Sequence, residues 1–129
     1  MIKRVFLISS MAVAVMLCGC TAREMPQSPN ITVSPQAGNF EISKNIKTTI
    51  QNMARSGWII EKAETNQVVA GLHIHGHYLQ ITYFIQQHQV SSQITASQNL
   101  DQKNNKIHRN ALRWKARLDQ RVFQKLAVL

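Results

Sequence analysis

The chain has 129 residues, of which 44% are hydrophobic, 16% charged and 6% aromatic. That is room for one domain, and it excludes both a multi-span membrane protein and a disordered chain. Lys and Arg number 15 against 6 Asp and Glu, a formal charge of +9 that points to an anionic partner, nucleic acid or a membrane surface.

The N-terminus decides between these partners. Met1-Ile2-Lys3-Arg4 is a short basic segment, followed by the mostly apolar run from Val5 to Leu17. A spanning helix needs about 20 apolar residues, so this run has the length and flanks of a secretory signal instead. It ends in Leu17-Cys18-Gly19-Cys20, which resembles the lipobox of bacterial lipoproteins. The resemblance implies cleavage after Gly19, a signal peptide at 1–19, and a diacylglycerol thioether on Cys20. Thr21 stands where the inner-membrane retention signal of such lipoproteins has Asp, so the expected location is the outer membrane, facing the periplasm. Cleavage removes Lys3 and Arg4 and lowers the formal charge from +9 to +7. Cys18 and Cys20 are the only cysteines, so the mature domain has no thiol for a disulfide, zinc or nucleophilic catalysis. Cytoplasmic nucleic acid is out of reach, and the basic charge belongs to an envelope role.

Residues 21–39 hold all three prolines and show no apolar period. They read as a tether between Cys20 and a domain at 40–129, a coil with a span of roughly 25 Å. Ile31-Thr32-Val33 has some strand character and is able to add to a partner sheet, but a solvated linker is the expectation.

From Phe40 the pattern is that of a folded domain. Ile42, Ile46, Ile50 and Met53 mark the buried stripe of a first helix, stopped by Ser56-Gly57. Strands follow at 58–63, 68–75, 78–86 and 90–96, the third with Leu79, Ile81, Tyr83 and Ile85 alternating against polar neighbours. A closing helix runs from Ile107 to Leu126, its stripe being Ile107, Ala111, Trp114, Leu118, Val122 and Leu126. The expected fold is α+β: a four-stranded antiparallel meander with two helices on one face, in the order α-β-β-β-β-α.

Two constellations carry chemistry. His73, His75 and His77 have strand spacing, which places them on one face about 6.6–7 Å apart, and two such imidazoles can share a metal. The alternatives are a periplasmic metal- or small-ligand-binding protein and a plain polar sheet face. On the closing helix, Arg109, Arg113, Arg117 and Arg121 recur every four residues. They form a slowly winding basic stripe suited to lipid headgroups, glycolipid phosphates or an acidic protein. No Gly-rich phosphate loop, GxSxG or HExxH is present, and the carboxylates are scattered. The chain reads as non-enzymatic, with no cofactor implied.

Gly57-Trp58, His77, Ser97-x-Asn99-Leu100 and Ile107-His108-Arg109-Asn110 with Trp114 and Leu118 together resemble a family of small, uncharacterised outer-membrane lipoproteins of Gram-negative bacteria. That family's C-terminal signature is roughly IHRxYNxWxxxL, and here Ala111 and Leu112 stand in place of its Tyr-Asn. The resemblance supports fold and location and implies no activity. Read physically, His77, Asn99 and His108 can cluster, either as a pocket or as a structural hydrogen-bond network, and the network is the expectation. The function expected is an anchored binding or structural module that meets an envelope protein or an anionic envelope component.

Overall fold

The computed structural model describes residues 22–129; the signal segment 1–19 and Cys20 lie outside the described residues. The elements are β1 (Ala22–Glu24), β2 (Asn30–Thr32), α1 (Asn39–Gln51), β3 (Trp58–Ala63), β4 (Gln67–Ile74), β5 (His77–Gln86), β6 (Gln89–Gln98), β7 (Lys106–His108) and α2 (Arg109–Leu126). The fold is α+β, with two helices and antiparallel sheets.

Apolar spacing produces the core as expected. Ile42, Ile46 and Ile50 are buried on α1, and Ala111, Leu118, Val122 and Leu126 on α2. On β5 the fully hidden residues Leu79, Ile81 and Tyr83 alternate with partners that face the other way. Ala70 and Leu72 of β4 pair with Ile81 and Leu79 and so share their face. α1 lies on β3, β4 and β5 and against α2, and α2 reaches the same face where Asp119 accepts from Tyr83. Met53, expected as the last apolar position of the first helix, falls instead before a short 3-10 turn, Ala54–Ser56. Gly57 then turns the chain into β3 with φ of 102°, a value only glycine adopts cheaply.

The sheet is larger than a four-stranded meander. β3 to β6 do pair consecutively, but β2 adds to β6, giving the order β2-β6-β5-β4-β3, and β1 pairs with β7 in a second, two-stranded sheet. The stretch 22–37 is therefore no solvated tether. Val33 and Ala37 are buried in the core, and Val33 N–H donates to the His88 carbonyl at 2.6 Å. Three-residue strands are too short to show a two-residue period, which is why the sequence pattern passed over them. Ile107 likewise belongs to β7 rather than to α2, and it is fully buried.

Polar side chains cross the interface between α2 and the sheet. Tyr83 and Ser92 each donate a hydroxyl to Asp119 Oδ1 at 2.6 Å, and Lys115 Nζ donates to Asp119 Oδ2 at 2.6 Å. Burial first, and then the charge and hydrogen bond of Asp119, push the Tyr83 phenol well above its ordinary value near 10. The folded state therefore favours the protonated phenol. Its contribution to stability is complete below the unfolded pKa, about 10, and is lost as pH rises through the higher folded value. Urea midpoints should fall above about pH 10 with a slope from this one group of at most about 1.4 kcal/mol per pH unit. Tyr83→Phe should flatten that decline, and an identical decline in the variant would mean that Tyr83 is not its source.

Candidate functional site

The turn at Gly57 has a consequence beyond the strand it starts. It brings Arg55 and Ser56 alongside α2, and a groove opens between them. A cavity of about 280 Å³ is floored by Trp58, Leu72 and Ile74, walled by Trp114, and edged by Arg55 and Arg117. It adjoins a second cavity of about 510 Å³ that shares Met53, Arg55 and Ser56 and continues between the C-terminal turns of both helices to Arg121 and Lys125. Arg117, Arg121 and Lys125 follow at intervals of four on α2, so they form one wall of the groove.

The charge of this groove is one-sided. Neither cavity is lined by Asp or Glu. The ion pairs among the described residues are Lys62–Glu64 and Lys115–Asp119, and neither uses a groove cation. Each helix C-terminus brings roughly half a negative charge, which leaves most of the charge on Arg55, Arg117, Arg121 and Lys125 uncompensated. Guanidinium groups beside indole rings suit a ligand that presents carboxylates or phosphates next to apolar groups.

Of the four arginines expected to bind a partner, Arg117 and Arg121 line this groove. Arg109 and Arg113 are exposed on α2 outside it. Arg55 was not among the expected residues. It sits past the end of a helical pattern, where nothing local reveals that a glycine turn will aim it at α2.

The three histidines do not share a strand face. His73 is on β4, His75 occupies the β4–β5 turn with φ of 50°, and His77 begins β5. His75-Gly76, both with positive φ, is a two-residue hairpin turn, and the reversal separates side chains that an unbroken strand would align. Among the described residues no three His, Cys, Asp or Glu side chains are grouped to hold a metal ion.

His77, Asn99 and His108 do come together. His77 Nδ1 lies 2.6 Å from the Asn99 carbonyl oxygen, and the Asn99 side chain donates to the Gly76 carbonyl at 2.8 Å. The rings of His77 and His108 are 6.5 Å apart, and His77 lies 6.1 Å from Trp114. His108 Nδ1 accepts the Asn110 N–H at 3.1 Å, capping α2. The cluster ties the β4–β5 turn, the loop after β6 and the start of α2 together, and it supports Trp114 at the end of the groove.

The sheet face away from the helices carries a second polar arrangement. A register shift at Glu61 re-aims its carboxylate over Gly71, where a Cβ would stand 2.5 Å from Glu61 Oε2. Tyr78 donates its hydroxyl to Glu61 Oε1 at 2.6 Å, and Gln80 Nε2 to the same oxygen at 3.0 Å. Thr95 completes the chain by donating to Gln80 Oε1 at 2.7 Å, and His73 lies over Tyr78 with ring centroids 4.7 Å apart. Partial burial, then the bond and charge of Glu61, raise the Tyr78 phenol. These groups satisfy one another, whereas the groove cations do not.

No family model, no curated protein and no solved structure matches this chain.

Proposed function

We propose that the protein is an outer-membrane-anchored lipoprotein of the bacterial envelope, a non-enzymatic module that grips an acidic protein segment in the groove between α1 and α2. The lipobox at 17–20 and the resemblance to small lipoproteins support the location. The observation that carries the binding role is the groove: four cations without an acid, above a floor and wall that include Trp58 and Trp114. Such an interface takes its anchoring energy from the aromatic pocket and its selectivity and association rate from the charges.

The test is co-purification from detergent-solubilised membranes, comparing the natural protein with the triple variant Arg55→Gln, Arg117→Gln, Arg121→Gln. All three side chains are exposed, so the fold should survive; surface substitutions of this kind shift stability within about 0.5 kcal/mol. An envelope protein recovered with the natural chain should be lost or reduced at least about tenfold with the variant, which corresponds to about 1.4 kcal/mol. Its recovery should also fall with added salt, because the Debye length shrinks from about 10 Å at 0.1 M to 3 Å at 1 M. Equal recovery by both proteins would remove the groove from the function.

A further inference from the structure

We propose that the face built from β1, β7 and the turn before β7 lies directly on the bilayer, with Lys103, Lys106 and Arg109 against anionic phospholipid headgroups. This inference rests on lipidation at Cys20, and three observations lead to it.

The first is the length of chain left free. Only Thr21 separates Cys20 from Ala22, and Ala22 is already on β1, paired with His108. Two residue steps reach about 7 Å at full extension, against the roughly 25 Å that a free coil over 21–39 would span. β1 cannot drift to make up the difference: Arg23 and Glu24 pair with Ile107 and Lys106, and Met25 N–H donates to the Asn105 carbonyl at 2.9 Å. Ile107 is fully buried and fixes β7 to the core. An anchor at Cys20 therefore holds the short β1–β7 ladder at the membrane surface, entering at its His108 end, with the Lys103–Lys106 turn at the other end of the same ladder.

The second observation is a pair of like charges placed side by side. Lys103 and Lys106 exchange both backbone hydrogen bonds at 2.9 Å across a turn whose central residues, Asn104 and Asn105, have φ of 51° and 63°. That is a two-residue hairpin turn with lysines directly opposite each other, an arrangement that repels unless an anion sits between or above them. Among the described residues neither lysine has an ion-pair partner, although Glu24 is opposite Lys106 on β1. Arg109 follows at once on α2 and is exposed.

The third is the sign of the whole face. Its charged groups are Arg23, Lys103, Lys106 and Arg109 on one side and Glu24 and Asp101 on the other. The surplus is cationic, as attraction to an anionic leaflet requires. The geometry also divides the basic stripe of α2 between two tasks. At 1.5 Å per residue, Arg117 and Lys125 stand about 12 and 24 Å along the helix axis from Arg109. Lipid takes the first residue of the helix, and the groove is left for the protein partner.

The experiment uses the full-length lipidated protein in nanodiscs of phosphatidylethanolamine and phosphatidylglycerol that contain a headgroup-quencher lipid. Single cysteines are introduced by Lys103→Cys, Lys106→Cys and, as the distant control, Gln124→Cys, and each carries a thiol-linked fluorophore. The natural protein should take no label, since Cys18 leaves with the signal and Cys20 is a thioether. Labelling of the natural protein, or its release from membranes without detergent, would overturn the anchor itself. With the anchor intact, the fluorescence of labels at 103 and 106 should be largely lost while that at 124 is retained. Equal quenching at 103 and 124 would overturn the docking face and leave the anchor standing. With phosphatidylcholine as the only bulk lipid the loss at 106 should be smaller than in the anionic nanodisc, and in the anionic nanodisc Lys103→Glu should reduce it as well. An unchanged loss there would exclude charge as the reason for the contact.

Discussion

Replacing Asp119 with alanine is expected to destabilise the domain by about 3–5 kcal/mol, the range for stripping one partner from a buried ion pair. Asp119 is 7% exposed, and its carboxylate is the shared acceptor for Tyr83, Ser92 and Lys115, each at 2.6 Å. Without it the Lys115 ammonium stays buried with no counter-charge, and two hydroxyls lose their acceptor in a region sealed by α2. A small domain holds only about 5–15 kcal/mol in total, so the variant should lose a large part of its folded margin. Lys115→Met is the informative contrast. It leaves Asp119 two hydroxyl donors and supplies an apolar side chain of similar length, so about 1–3 kcal/mol is expected. Urea denaturation of the two variants reads the difference. An Asp119→Ala protein within about 1 kcal/mol of the natural one would mean that water replaces the carboxylate and that the network does not hold α2 in place.

The same residues show what a sequence reading reaches. The stripes Ile42, Ile46, Ile50 and Ala111, Leu118, Val122, Leu126 announce their helices because burial repeats at the helical period over several turns. Leu79, Ile81, Tyr83 and Ile85 announce β5 by alternation. In the sequence Asp119 is no more than a lone acid in a basic helix. Its partner Tyr83 lies 36 residues away, and no local period encodes a contact of that separation. The groove follows the same division. Arg117 and Arg121 were legible from their spacing, while Arg55 depends on the path of the chain through Gly57. The His73, His75, His77 triplet failed for a local reason: the period of two was real, but Gly76 places a hairpin turn within it.

The stretch before Phe40 gives the second large expected effect. A fragment beginning at Phe40, where the apolar pattern begins, should be less stable than one beginning at Thr21, and it should self-associate. Val33 is 1% exposed and Ala37 2%; hiding a valine side chain alone is worth about 1.5–3 kcal/mol. Deleting the segment also strips β2 from β6, where Ile31 pairs with Val90 and the Ser92 N–H donates to the Pro29 carbonyl at 3.1 Å. The bared edge of β6 would present free N–H and C=O groups over several residues, a template for pairing with a second chain. The ordering entropy released by the deletion works in the opposite direction, so the state of association is the sharper readout. Thermal melts and sedimentation of fragments 21–129 and 40–129, with Val33→Ala in the longer one, separate lost packing from the exposed edge. Val33→Ala should lower stability and stay monomeric; the short fragment should lose stability and self-associate as well. If 40–129 is monomeric and melts with 21–129, the segment is a passenger on the sheet, and the short connection from Cys20 to the folded domain lengthens into a tether.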